Sequence, residues 1–343
     1  MRRILATVCL LSVLLLTNAV AAAGYYPGTT WEAISPEEAG FDAGKLATAR
    51  QYATTLDSIS GMVLYDGKVL LEWGDTKRKG DMHSVRKSFM SALCGIYANE
   101  GRVNLNATLA QLGIDDKGGL TDQEKQAKVI DLLKACSGVY HEAAYETQGM
   151  KTNRPARGSY PPGSHWLYNN WDFNALATIL DKSTGQTVGA SFDGRIATKI
   201  GMQDFSKTDV QYLYEPTSVH PAYLFKMSAR DMARFGLLYL RNGEWESQQV
   251  VPREWVQEST RGYSSTGPGV DYGYLWWVAK GWLLGNKIAG TAYRADGVGG
   301  QFIIVMPEEK LVIVHVSNYD KSKIDSHKPF GQFVKYLLEA KNR

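Results

Sequence analysis

The sequence predicts an α+β protein with one sheet assembled from both ends of the chain and a long helical insertion between them. Residues 63–73 read as a hairpin, two β-rich runs around Asp66-Gly67. Four more β-branched or aromatic runs, 272–278, 287–293, 301–306 and 311–317, stand in the last third. Between residue 84 and about residue 225 the pattern is largely helical, with long polar loops. Strands near both termini with helices between them imply a shared sheet. The expected division is an α/β lobe from 24–80 with 230–343, and an all-helical lobe from 81–229.

Residues 1–21 stand apart from the fold. Arg2 and Arg3 open a run that is mostly apolar over 4–16, and Ala19-Val20-Ala21 offers a small-residue cleavage site. That is the pattern of a secretory signal peptide, its apolar run short for a membrane span. Cys9 lies inside the run and not at the cleavage site, which argues against a lipid anchor. No later stretch reads as a membrane span, so the expected location is periplasmic or secreted. The 38 basic residues nearly balance the 35 acidic ones, and loss of Arg2 and Arg3 with the leader brings them closer. Nothing there points to nucleic acid or an anionic membrane. A 44% hydrophobic content is enough for a large core. Cys94 and Cys136 could bridge in an oxidising compartment, or stay as buried free thiols in their apolar helical surroundings.

Within the insertion, 127–135 and 170–180 read as helices, the second closed by 181–185. The loop 140–163 carries Gly149, Pro155, Gly158, Pro161, Pro162 and Gly163 and reads as irregular. Residues 330–338 read as a closing amphipathic helix, and Pro307 to Lys310 as a turn between the last two strands.

The stretch that carries chemistry begins at Ser84. Read as a helix, it puts Ser84 and Lys87 on one face, with Cβ atoms roughly 5–6 Å apart. Val85, Phe89, Leu93 and Ile96 recur at helical spacing, so the helix is buried. Burial lowers a lysine pKa from about 10.4, and a neutral amine beside a serine can take its proton. The plainer alternative is an N-cap serine and a solvated lysine. Two further stretches could converge with it. In Tyr168-Asn169-Asn170 the tyrosine could relay protons, and Asn170 could donate to a substrate carbonyl and to Lys87. In 295–301, Ala-Asp-Gly-Val-Gly-Gly-Gln, a backbone N–H could complete an oxyanion hole. Taken singly, Tyr168 could be a core aromatic and the glycine run a bulge.

Together the three resemble the serine β-lactamase and penicillin-binding protein superfamily, in its class C-like branch. That branch includes family VIII esterases, D-amino-acid peptidases and 6-aminohexanoate-dimer hydrolases. Asp131-Leu132-Leu133, Ser137-Gly138, Tyr160-Pro161-Pro162-Gly163-Ser164, the run 228–236 and Val305-Met306-Pro307 fit the same pattern, which extends over about residues 30–340. The resemblance implies an antiparallel sheet with flanking helices beside an all-helical lobe, with the site in the cleft between them. It implies Ser84 as the acylated nucleophile, Lys87 as proton acceptor and Tyr168 as general base or acid. Asn170 would contact substrate, and the N–H groups of Ser84 and Val298, beside Gly297, would hold the oxyanion. The substrate would be a small molecule or short peptide-like compound, with no cofactor.

One position departs from the family pattern. Ala295 stands where many relatives carry Lys or His, so recognition of a substrate carboxylate loses its cation. Arg294, adjacent on the strand, should face the other way. Lys87 is therefore the expected base, with Tyr168 passing the proton to the leaving group. The leading expectation is hydrolysis of an ester or amide. A β-lactamase or D-Ala-type peptidase, and a penicillin-binding sensor without turnover, are the alternatives. The six histidines lack zinc-site spacing, so no metal is expected. No Gly-x-Ser-x-Gly elbow is present. Trp276-Trp277, Trp166 and Trp171 read most simply as core, and Tyr140, His141 and Tyr145 as possible cleft-mouth residues.

Overall fold

The computed structural model describes residues 24–280, 290–318 and 327–342; the leader read at 1–21 lies outside them. The chain runs through helix α1 (Ala43–Ala53) into β1 (Ser58–Tyr65) and β2 (Lys68–Gly74). Asp66 and Gly67 join the two strands at φ of 48° and 92°, the conformation a two-residue hairpin loop requires. Short β3 (Lys79–Asp81) leads through a 3-10 turn, His83–Val85, into α2 (Arg86–Asn99). Short helices and loops follow, then α3 (Asn170–Thr184), which ends on Gly185 in the left-handed conformation. Next come β4 (Val210–Leu213), β5 (Ala222–Ser228), α4 (Ala229–Leu240) and the tiny hairpin β6 (Glu244–Trp245) and β7 (Gln248–Gln249). The last third supplies β8 (Ser264–Gly267), β9 (Val270–Tyr272), β10 (Trp277–Lys280) and β11 (Thr291–Gly297). Strands β12 (Gln301–Met306) and β13 (Leu311–Ser317) and helix α5 (His327–Ala340) complete it.

Eight strands form one antiparallel sheet in the order β2-β1-β13-β12-β11-β10-β9-β8. Strand β13 pairs with β1 from Ser317↔Ser58 to Leu311↔Tyr65, so the sheet joins both ends of the chain as the sequence predicts. Strand alternation sends Val63, Leu71 and Ile313 to one face, where Leu46 and Ala49 of α1 meet Phe333 and Leu337 of α5. Met62, Leu64, Val312 and Val314 turn to the other face, into the larger core with Phe89 of α2 and Phe235 of α4. Helix α4 lies so close to β13 that a Cβ at Gly236 would stand 2.4 Å from a Val312 methyl. Its Asp231 carboxylate accepts the N–H groups of Gln203, Asp204 and Phe205, fastening the inserted segment to the sheet side.

Several expectations need correction. The stretch 81–229 is not all helical, because β4 and β5 lie within it and form a three-stranded sheet with β3 at its edge. The strand expected over 272–278 is broken: Leu275 has φ 63°, its N–H bonds to Leu133 O and its carbonyl accepts Ser88 Oγ at 2.9 Å. The helical half therefore reaches into the strand line and splits it into β9 and β10. The helix expected over 127–135 shortens to Val129–Leu133 and α3 runs on to Thr184; of the strand expected over 287–293, residues 287–289 lie outside the described residues, and β11 covers Thr291–Gly297. The loop 140–163 contains the short helix Gln148–Thr152. Cys94 and Cys136 are free buried thiols, and burial pushes Cys94 up to about 12. No helix among the described residues is long and apolar enough to cross a membrane.

Candidate active site

Ser84 sits in the single turn between β3 and α2. Met82 N–H bonds to Phe225 O of β5, which anchors the entry to the turn. His83 then takes φ 46°, a left-handed conformation uncommon for a residue with a side chain. This bend presents Ser84 at the cleft while Val85 and Phe89 go into the core. Lys87, three residues on, is 2% exposed, and its Nζ lies 2.8 Å from Ser84 Oγ. Its amine also lies 4.9 Å from the ring centroids of Tyr168 and Phe173. Burial pulls the Lys87 pKa well below the usual lysine value, and the charge of Arg86 adds to the effect. A neutral amine within hydrogen-bond distance of the hydroxyl has a lone pair ready for its proton.

Tyr168 approaches from the opposite side, just before α3. Asn169 caps that helix by accepting the Asp172 N–H, which fixes the direction of the preceding residue. Tyr168 lines the cleft with Ser84, and Phe173, Tyr272 and Trp277 surround its ring. Burial raises its pKa far above the ordinary tyrosine value, opposed only in part by the Ser84 hydroxyl and by Arg86. It is a neutral phenol, able to donate. Asn170 differs from expectation. Its amide nitrogen donates to Tyr145 O and not to Lys87, since the carbonyl it faces can only accept. Its Oδ1 is buried with no partner among the described residues. One amide hydrogen is thus committed to Tyr145 O, and the second remains for the substrate contact expected from the sequence.

The third segment enters along β11. A Cβ at Gly297 would stand 2.7 Å from Met82 O, so glycine there lets the strand end close on the turn that carries Ser84. Val298 follows at the cleft wall, 42% exposed. Ala295 does not line the cleft; it is 1% exposed and packed in the larger core. Arg294 and Asp296 line the cleft instead, paired through Arg294 Nε and Asp296 Oδ2 at 3.0 Å, with the guanidinium 5.9 Å from the Trp277 ring centroid. The expected orientation of the strand is thus reversed, and the cation absent at position 295 is present one residue earlier.

The glycine turn after β11 is held from behind by β13. Ser317 Oγ donates to Gly299 O, and His315 Nδ1 lies 2.6 Å from Gly300 O. Because that carbonyl only accepts, Nδ1 carries the proton, and Nε2 accepts from the Ser58 hydroxyl at 2.6 Å. Burial pushes His315 down to about 4. The unfolded chain, near 6.5, therefore takes up this proton first, and stability present above about pH 6.5 is lost as pH falls toward 4. At 1.36 kcal/mol per pKa unit the loss is about 2 kcal/mol by pH 4.5. His315→Gln should lack that component in urea titrations at pH 7 and 4.5. Equal pH sensitivity in the two proteins would contradict the assignment.

The cleft over Ser84 encloses about 970 Å³. Tyr145 lines it, as the sequence suggests; it has φ 64°, and its hydroxyl lies 2.7 Å from His83 Nδ1. Tyr140 is buried and His141 turns to Glu124. The tryptophans divide: Trp171 and Trp276 are buried core, while Trp166 and Trp277 are cleft wall. Strand alternation was the available signal for Trp277, since adjacent residues on a strand face opposite ways. Glu146, Glu215 and Met150 also line the cleft, on loops whose path no local pattern encodes.

A two-sided antiparallel sheet beside a buried Ser-x-x-Lys helix, with Tyr-x-Asn facing it, is the serine β-lactamase fold. The chain belongs to the Beta-lactamase family, whose profile matches residues 45–330. An uncharacterized protein of Alkalihalophilus pseudofirmus is 21% identical over 194 residues, covering 50% of this chain and 58% of that protein. The match thus spans little more than half the length of this curated relative. A candidate 6-aminohexanoate-dimer hydrolase from Bacillus anthracis superposes with a TM-score of 0.66 at 21% identity, over 90% of this chain and 88% of the other. At that identity the likeness is one of fold.

Proposed function

We propose that the protein is a serine hydrolase that cleaves an ester or amide through an acyl-enzyme on Ser84. The observation that carries this reading is the desolvated Lys87 amine 2.8 Å from a serine hydroxyl that opens on a cleft. Ser84 Oγ attacks the substrate carbonyl carbon and its proton passes to Lys87 Nζ. The N–H groups of Ser84 and Val298 receive the oxyanion. As the intermediate collapses, the neutral Tyr168 phenol gives its proton to the departing oxygen or nitrogen and is reprotonated from Lys87. Water then attacks the acyl carbon and restores Ser84. Intact-mass measurement after mixing with p-nitrophenyl acetate and with benzylpenicillin tests the reading. Transient acylation with product release supports a hydrolase, a persistent adduct supports acylation without turnover, and no adduct with either refutes acylation at Ser84.

The Arg294–Asp296 pair bears on the substrate. A substrate carboxylate would meet a cation whose charge Asp296 already offsets, which favours neutral acyl groups. The β-lactamase or D-Ala-peptidase reading would need that cation released. Asp296→Asn should therefore raise kcat/KM for benzylpenicillin relative to p-nitrophenyl acetate by about tenfold, the scale of one charge-assisted hydrogen bond. An unchanged ratio would remove Arg294 from carboxylate recognition. Export is proposed on the leader pattern alone: N-terminal sequencing of periplasmic or secreted protein should begin near residue 22, and a retained Met1 would refute cleavage.

A further inference from the structure

The least compensated cation near the site is Arg86, to which the proposed reaction gives no part. Its side chain is completely buried. Among the described residues its Nε and Nη1 have no hydrogen-bond partner, and Nη2 reaches Asn174 Oδ1 only at 3.4 Å. Ring faces stand in for the missing contacts, with the guanidinium carbon 4.7 Å from the Tyr223 centroid and 5.7 Å from that of Tyr145. Cation–π contact offsets only part of what an arginine gives up on leaving water.

Arg86 adjoins Lys87, whose amine shares the same buried interior. Like charges on two adjacent, fully buried side chains disfavour each other's charged forms in low-dielectric surroundings. Arginine retains its proton in proteins, whereas lysine gives its proton up readily when buried. Resting on the hydrolase reading above, we propose that Arg86 is a positioning residue for its proton transfer, a fixed cation that keeps the neighbouring Lys87 amine in its free-base form. Part of the depression at Lys87 does come from this charge, after burial itself. The same charge works against the burial that raises Tyr168 and Tyr223. Arg86 thus supplies, from beneath the helix start, positive potential that the buried Ala295 cannot.

The groups facing Lys87 from other elements do not cancel this effect. Tyr168 and Tyr272 are held as neutral phenols by burial, and Asp172 on α3 is pushed up to about 8. Asp296 on β11 is paired with Arg294. At the rim, His83 bonds to Tyr145, and Glu215 accepts the Tyr145 N–H.

The test is the second-order rate of Ser84 labelling by a fluorophosphonate from pH 5 to 9, read by intact mass. For the wild type the rate should rise with pH to a plateau as Lys87 loses its proton. Arg86→Met should move that acid limb up by about one pH unit, so that labelling is about tenfold slower below the limb and recovers at high pH. Arg86→Gln, which retains a polar head, should show the same shift and serves if the methionine variant does not fold. Tyr223→Phe removes a hydroxyl that has no hydrogen-bond partner among the described residues and keeps the cation, so its limb should stay in place. A purely structural role for Arg86 would lower the rate at every pH without moving the limb, and that result overturns the inference while leaving the hydrolase reading intact. Absence of wild-type labelling overturns both.

Discussion

Ser84→Ala is expected to abolish covalent labelling by fluorophosphonates or activated esters and to lower turnover on the order of 10⁶-fold, the loss seen when one member of a concerted serine machinery is removed. The fold should survive. The turn is set by the backbone of Met82 and His83 and by burial of Val85, not by the Ser84 hydroxyl, whose hydrogen-bond partner is Lys87. Alanine fits the same place, and a thermal melt should move little. The competing nucleophiles on the same helix are poorly placed. Ser88 Oγ donates to Leu275 O, Ser91 is fully buried, and neither lines the cleft. Peptide mapping of labelled Ser84→Ala decides the matter: a label that survives on Ser88 or Ser91 sinks the assignment.

The parts of the site that could be read from sequence are those fixed by local periodicity. Ser84 stands in the 3-10 turn that runs directly into α2 and Lys87 in the first turn of α2, three residues apart, so their meeting follows from local helical geometry once burial is recognised. The Asp66-Gly67 hairpin and strands 301–306 and 311–317 were legible for the same reason, since turn chemistry and alternation are local. What eluded the sequence depends on partners far along the chain. The orientation of the Asn170 amide is set by Tyr145 O, presented by a loop residue at positive φ. The facing of β11 is set by the close approach of Gly297 to Met82, and an error of one position exchanges Ala295 for Arg294 and Asp296 at the cleft. The break at Leu275 depends on Ser88 and Leu133, more than a hundred residues upstream. Strands β3 and β4, of three and four residues, carry too few residues to declare a period, and both pair with β5.

Lys87→Arg should be nearly inactive toward every substrate, by on the order of 10⁴-fold, the upper range for removal of a general base. The substitution preserves a positive side chain of similar length. It does not preserve the reactive form, because arginine keeps its proton where the Lys87 amine is driven to give its own up. The sign of the pH dependence follows: with a lysine base of depressed pKa, wild-type activity falls as pH drops through that pKa and the amine becomes charged. Lys87→Arg should show no such limb, only uniformly low activity. Tyr168→Phe separates the two proton-transfer roles. If Tyr168 acts as the proposed proton donor and not as a base, as its raised pKa favours, the phenylalanine variant should acylate with p-nitrophenyl acetate at near the wild-type rate, that leaving group needing little protonation. On an anilide, whose leaving nitrogen must be protonated, the same variant should lose on the order of 10²–10³-fold. Stopped-flow acylation with the two substrates gives both numbers. Equal and complete loss of ester acylation in Lys87→Arg and Tyr168→Phe would make a tyrosinate the base, and the neutral phenol assigned to Tyr168 would then be wrong.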